Sequence, residues 1–318
     1  MAKLKLASYW AAACGGCDVA ILDVHEKILD IAAAADIVFW PIATDFKYSD
    51  VEAMPDADID VTLFHGAIRN SENEHLARLL RAKSKILVAF GSCAHIGGIP
   101  GLANLFSRED ILKRVYLETP STVNPEKITP DPRTAVPEGE ITIPVFHDAV
   151  RPLNQVVEVD YYVPGCPPTP AQIWNVVQAI VSGQLPEKGS VVGASEKTQC
   201  DECTRKKQEK KISGFKRIAT VQPDPDTCFL EQGFLCMGPV TRGGCDTRCQ
   251  LSGVGCRGCY GPPPGVLDQG AKALSAITSV IESKEEADVQ RIVDQIPDVL
   301  RSFNRFAIPA SLITRKVL

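Results

Sequence analysis

The chain has 318 residues, 45% of them hydrophobic and 23% charged, with a formal net charge of −5. That is an ordinary globular composition with enough length for two domains, and its acidic balance argues against a general nucleic-acid binder. Twelve cysteines come with no signal peptide, no twin-arginine sequence and no apolar run near the ~18 residues a bilayer span needs. A cytoplasmic protein is therefore expected, and clustered thiols there bind metal or do redox chemistry rather than form a disulfide scaffold.

In chain order, residues 4–10 read as a strand that leads into Cys-Gly-Gly-Cys at 14–17. DVAILDVHEKILDIAAAA (18–35) has helical apolar spacing, and DIVFWP (36–41) and VTLFHGAI (61–68) read as strands. A helix over 71–83 opens on the capping-box signature SENE. KILVAF (85–90) is a buried strand running into GSCA, and VVEVDYYV (156–163) is another running into PGCPPTP. A helix over 171–183 follows, with Gly183 as its stop. The alternation predicts a parallel, doubly wound α/β domain. The proline-rich stretch 118–150 is an excursion from the sheet, and the polar stretch 184–227 marks a boundary. Within that stretch RKKQEKK (205–211) reads as a solvated linker. Residues 228–265 carry six cysteines among many Gly and Pro, with little room for a core, and helical patterns close the chain over 268–282 and 286–303.

Loops at the carboxyl ends of parallel strands converge on one edge of the sheet. Cys14 and Cys17 follow the first strand, Cys93 follows the strand 85–90, and Cys166 follows the strand 156–163. One four-thiolate site is expected there. Gly15, Gly16, Gly91 and Gly165 let the backbone turn tightly and bring N–H groups toward an anionic centre. The other eight cysteines suggest, in sequence order, Cys200, Cys203, Cys228 and Cys236 for one site and Cys245, Cys249, Cys256 and Cys259 for another. Interleaved sets stay open on spacing alone. Zinc ribbons also use paired C-x2-C units, and the block 200–236 taken alone fits one. Cysteine at every ligand position across three sites is the pattern of [4Fe–4S] clusters. A zinc-bound structural protein is the rival of another class, and a thioredoxin-like dithiol enzyme built on CGGC leaves ten cysteines unused. The histidines at 25, 65, 75, 95 and 147 read as core or surface residues; His95 alone lies near a site and is not assigned as a ligand.

C-x-x-C after the first strand, GSCA (91–94), PGCPP (164–168), LCMGPVTRGGC (235–245) and CRGCYGP (256–262), in this order, resemble the small subunit of [NiFe] hydrogenases. The likeness spans the chain. It is strongest to the gamma subunit of the cytoplasmic, heterodisulfide reductase-associated, methyl-viologen-reducing type, and DQGAKALSAI (268–277) and IPASLI (308–313) strengthen it. The resemblance implies a flavodoxin-like doubly wound parallel sheet over 1–186, then a loop-rich iron–sulfur domain with C-terminal helices over 187–318. It implies three [4Fe–4S] clusters: proximal on Cys14, Cys17, Cys93 and Cys166, distal on Cys200, Cys203, Cys228 and Cys236, medial on Cys245, Cys249, Cys256 and Cys259. No residue of this chain is implied to be catalytic. Membrane-bound respiratory members usually have a histidine where Cys200 stands and a three-iron medial cluster lacking one cysteine, which Cys249 supplies here. Many relatives have a proton-transferring glutamate where this chain has Val19, with Asp18 adjacent, so no proton-relay role is carried over.

The implied function is electron conduction from hydrogen oxidation on a separate large subunit to an iron–sulfur or flavin partner such as heterodisulfide reductase. No nucleic acid and no membrane span are implied. The small subunits of deazaflavin-reducing hydrogenases and NAD(P)-linked sulfhydrogenases are alternatives. The cluster-bearing subunit of a respiratory complex I has a single cluster, which the eight cysteines after 200 contradict.

Overall fold

The computed structural model describes residues 3–313. The outermost residues of both expected domains lie outside that range. The first half runs β1 (Leu4–Trp10), α1 (Gly16–Leu22), α2 (Ile28–Ala34), β2 (Ala35–Phe39), α3 (Tyr48–Ala53), β3 (Ile59–His65), β4 (Ile68–Asn70), α4 (Ser71–Lys83), β5 (Ser84–Phe90) and α5 (Gly91–Ile96). It continues with α6 (Arg108–Lys113), β6 (Arg133–Val136), β7 (Gly139–Thr142), β8 (Phe146–Arg151), β9 (Tyr161–Val163) and α7 (Pro170–Val181). Beyond these come α8 (Gln199–Glu202), α9 (Arg248–Leu251), α10 (Gln269–Thr278), α11 (Glu286–Val293) and α12 (Val299–Phe303).

Five strands form one parallel sheet in the order β2-β1-β3-β5-β9. Numbered within the sheet this is the flavodoxin-like order, whose direction of winding reverses between β1 and β3. Successive residues of β5 face opposite layers. Leu87 and Ala89 pack with Val51 of α3 and with Leu76 and Leu80 of α4, while Val88 and Phe90 pack with Ile21, Ile31, Ile173 and Val176 of α1, α2 and α7. Both faces are buried, which is why the strands read as nearly continuous apolar runs.

Several elements differ from the sequence reading, each for a local reason. The helix expected over 18–35 is interrupted between α1 and α2, where His25 takes φ 57°. The strand expected over 61–68 stops at Gly66, whose φ of 96° turns the chain so that β4 pairs antiparallel with β8. The strand expected over 156–163 shrinks to β9, because the Asp160 carboxylate takes the Leu87 N–H at 2.8 Å that a longer strand would have paired. Helix α4 begins as expected, but its cap is Asn70, which accepts from the Asn73 N–H at 2.8 Å, while the Ser71 hydroxyl accepts from Val145. The stretch 118–150 contains the β6–β7 hairpin and β8. The last helical pattern splits into α11 and α12 at Pro297, which has no N–H to continue the helix.

The cysteine-rich region also builds more core than its composition suggested. Phe229, Phe234, Met237 and Val240 pack with Ala273, Ile277 and Phe303 of α10 and α12. This region is tied to the sheet half by Tyr260, whose hydroxyl donates to Gln172 at 2.7 Å, and by Ser92, whose hydroxyl donates to the Cys259 carbonyl. Pro309 lies across Gly97 and Gly101, where no side chain would fit beneath it.

Candidate metal centres

Each cysteine-bearing turn at the sheet edge takes its shape from the helix or loop that its strand enters. Cys17 sits in the first turn of α1 and Cys93 in α5, both buried, while Cys14 and Cys166 are exposed on loops after β1 and β9. The four thiols crowd one another. Burial, then Cys93, Cys166 and Cys14, push the Cys17 thiol far above its ordinary value. Burial, then Cys166 and Cys14, push Cys93 up to about 12. Gly91, at φ 82°, permits this approach: a Cβ there would stand 2.5 Å from the Cys17 sulfur.

A second set forms around Gly238, where an added Cβ would lie 3.3 Å from the Cys200 sulfur and 3.4 Å from that of Cys236. Burial pushes Cys200 up to about 12; the Lys207 ammonium opposes this, and Cys236, Cys228 and Cys203 add to it. Burial likewise raises Cys236 to about 11, against amide hydrogen bonds from Gly238 and Cys256. In the third set Cys259 is raised to about 12, by burial first and then by Cys166, Cys245 and Cys249. Cys256 is raised well above the ordinary value by burial, then by Cys236, with Cys259 contributing.

The sets touch in a row. Cys259 of the third set feels Cys166 of the first. On its other side, the Cys256 amide donates to the Cys236 sulfur of the second at 3.2 Å. Gln199, the neighbour of Cys200, donates from Nε2 to the Cys245 sulfur at 3.1 Å.

The donor chemistry fits iron–sulfur clusters. Buried thiols pushed this high stay protonated unless a cationic core compensates the thiolate. N–H groups aimed at sulfur, including Gly16 N–H on Cys14 at 3.4 Å, suit an anionic cluster. Among the described residues no three His, Cys, Asp or Glu side chains converge closely enough to hold a single ion. A four-iron core takes one thiolate per iron and needs its sulfurs spread around it.

Three further features surround the centres. Beside Cys17, the buried Asp18 carboxylate accepts from Trp40 Nε1 at 2.7 Å and pairs with His65 Nε2 at 3.0 Å. Asp18 Oδ2 and His65 Nδ1 have no partner among the described residues. Nothing in the run VTLFHGAI marked His65 as half of such a pair; only an aspartate among apolar helix residues hinted at it. His95 is half-buried with its ring centroid 4.9 Å from that of Tyr162, and desolvation, with Arg242 nearby, pushes it down to about 4. The basic run 205–211 is exposed, but it is no free linker, since its backbone is bonded along the second cysteine set.

No helix among the described residues is long and apolar enough to cross a membrane.

The family described as NADH ubiquinone oxidoreductase, 20 Kd subunit, matches residues 14–180. The iron-sulfur subunit of the F420-non-reducing hydrogenase of Archaeoglobus profundus is 42% identical over 320 residues, covering 99% of each chain. A vhu subunit of the F420-non-reducing hydrogenase of Methanocaldococcus jannaschii is 40% identical, covering 95% of this chain and 94% of that one. Among solved structures, an NAD+-reducing [NiFe]-hydrogenase in the H2-reduced state contains a chain 31% identical, with a TM-score of 0.50, covering 58% of this chain and 95% of that one. A chain of the [NiFeSe] hydrogenase from Desulfovibrio vulgaris Hildenborough shares the fold at 14% identity and a TM-score of 0.50, covering 89% of this chain and 99% of that one.

Proposed function

The chain belongs to the NADH ubiquinone oxidoreductase 20 Kd subunit family, as a hydrogenase small subunit akin to the iron-sulfur subunits of F420-non-reducing hydrogenases, and on that premise we propose that it conducts electrons. It is a subunit of an oxidoreductase whose hydrogen-cleaving site is on another chain. The electrons come from hydrogen oxidation on the partner large subunit and leave to an iron–sulfur or flavin partner such as heterodisulfide reductase. The carriers are three [4Fe–4S] clusters: proximal on Cys14, Cys17, Cys93 and Cys166, medial on Cys245, Cys249, Cys256 and Cys259, distal on Cys200, Cys203, Cys228 and Cys236. Twelve free thiols suit a protein of the reducing cytoplasm. Residues 1–186 and 187–318 act as two folding units.

Bound clusters supply reversible one-electron storage. The chain's own residues do the rest. Cys17, Cys93, Cys236 and Cys256 are buried, which keeps water off the sulfurs and favours the less charged oxidation state of whatever they bind. The amides of Gly16 and Cys256 and the side chain of Gln199 donate to sulfur, which spreads negative charge and works the other way.

The observation that carries the reading is the continuity of the thiol row, with Cys259 beside Cys166 at one end of the third set and Cys256 against Cys236 at the other. Metal and sulfide analysis of the anaerobically purified protein tests it. About twelve irons and twelve acid-labile sulfides per chain are expected for three four-iron clusters. Stoichiometric zinc without sulfide would overturn it.

A further inference from the structure

The lysine-rich segment after Cys203 is a built surface. Its backbone is strapped to the second cysteine set: Lys206 N–H donates to the Asp226 carbonyl at 2.7 Å, and Cys228 N–H to the Lys206 carbonyl at 2.9 Å. The Arg205 guanidinium lies 3.9 Å over the Phe229 ring and donates to the Asp224 and Thr227 carbonyls at 2.6 and 3.0 Å. The Gln208 and Glu209 amides donate to the Glu231 carboxylate, Ile212 pairs with the 280–282 backbone, and Lys216 N–H donates to the Gly233 carbonyl at 2.8 Å. Pinned in this way, the strand of chain turns Lys206, Lys207, Lys210, Lys211, Lys216 and Arg217 outward, all exposed.

Among the described residues none of the six forms a salt bridge. Among the neighbouring carboxylates, Glu231 accepts from those two amides and Asp224 from the amides of Asp226 and Thr227; Asp201 accepts from the amide and hydroxyl of Thr198, which together with the Lys197 and Lys207 charges hold it below its ordinary value. Glu209 is the single acid within 205–217. The chain as a whole is nonetheless acidic, at a net −5. The segment also reaches the cysteines themselves: Lys207 Nζ lies 3.4 Å from the Cys200 carbonyl, and its charge opposes the rise in the Cys200 thiol pKa.

We propose that this lysine face, lying over the end of the thiol row remote from the sheet edge, docks the acidic face of a small electron-carrier protein. This rests on the electron-conducting reading above. A basic patch on an acidic molecule steers an acidic partner to one place and repels it from the remainder. Here that place lies directly over Cys200, Cys203 and Cys228, so a steered encounter brings the partner's redox centre next to the outer set. Orientation of the partner, more than strength of binding, is what such a surface contributes.

The test uses the intact hydrogenase complex with oxidised flavodoxin, a small acidic FMN protein, as the probe. Each H2 yields two protons and two electrons, which convert two oxidised flavodoxins to two neutral semiquinones. Charge reversal in Lys206→Glu/Lys210→Glu/Lys216→Glu uses side chains with no hydrogen-bond partner among the described residues. It is expected to lower the second-order rate of flavodoxin reduction about tenfold or more at low salt. The wild-type rate falls with ionic strength, and the variant's does not. Hydrogen-dependent reduction of methyl viologen, a small dicationic dye needing no docking face, is not lowered. The corresponding triple glutamine variant falls between the two. Equal flavodoxin rates in wild type and variants, with dye reduction intact, overturn the docking surface alone. So does salt-sensitive retention of the wild type on phosphatidylserine vesicles that the variant loses while its flavodoxin rate is unchanged. Failure of the wild type to reduce either acceptor with hydrogen overturns the electron-conducting reading, and the docking surface falls with it.

Discussion

Cys249 bears most directly on what the third cysteine set holds. It lies in α9 between Cys245 and Cys256 in sequence, and both it and Cys245 act on the half-buried Cys259 thiol. With Cys249 present that set offers four thiols; with Cys249→Ala it offers three. A four-iron cluster that loses one thiolate loses the anchor of one iron, so the variant is expected to hold a three-iron centre, seen as a new EPR signal in the air-oxidised protein. An unchanged spectrum would show that Cys249 is no ligand. Most of the thiol arrangement was legible in the sequence, because each of Cys14, Cys17, Cys93 and Cys166 directly follows a strand of one parallel sheet and the topology leaves them only one edge. The contact of Gln199 with Cys245 was not legible, because it joins residues 46 apart through two irregular loops with no periodic pattern. The Asp18–His65 pair was hidden for a related reason: its partners stand at the start of α1 and the end of β3, and only the sheet order brings them together.

At the scale of elements, the molecule relies on caps that serve two purposes. Asp268 caps α10 by accepting from Ala271 N–H at 2.9 Å, and its other oxygen accepts from Leu312 N–H at 2.8 Å. The same carboxylate therefore starts a helix of the cysteine-rich half and holds the segment that carries Pro309 over Gly97 and Gly101, just beyond Cys93. Loss of an N-cap costs about 1 kcal/mol, and the part-buried hydrogen bond from the exposed Leu312 contributes about as much again. Asp268→Ala is accordingly expected to destabilise the protein by about 2 kcal/mol, read as a lower midpoint in urea. Asp268→Asn keeps an acceptor oxygen for α10 and recovers about half of the loss. A variant as stable as wild type would mean that neither bond contributes. These side-chain ties explain where element prediction succeeded and failed. α4 and α7 were legible because thirteen- and twelve-residue helices repeat their apolar face several times. β9, with three residues, was overestimated because a single side chain, Asp160, takes over hydrogen bonding that the apolar run VVEVDYYV seemed to assign to the strand.

Across the whole molecule the two halves are stabilised by different means. The sheet half buries both faces of a five-stranded parallel sheet beneath α1, α2, α3, α4 and α7. Between α7 and α10, by contrast, the regular helices are the four-residue α8 and α9, and the backbone is held by turns and by hydrogen bonds to sulfur and carboxylate. Its apolar cluster includes Cys236 and Cys256, so part of its core consists of the proposed ligands. For such a region the free energy of binding metal is in large part the free energy of folding, whereas the sheet can bury enough apolar surface without it. Removing iron with a chelator under reducing conditions should therefore leave the sheet half resistant to trypsin and open the other half, with first cuts in the lysine-rich segment 205–217 and not in α4 or α7. Mass spectrometry of the fragments checks this, and far-UV circular dichroism follows in parallel, with most of the helix and strand signal expected to survive. The reverse order of cleavage, or collapse of both halves together, would show that the clusters hold the whole chain and that residues 1–186 do not form a folding unit of their own.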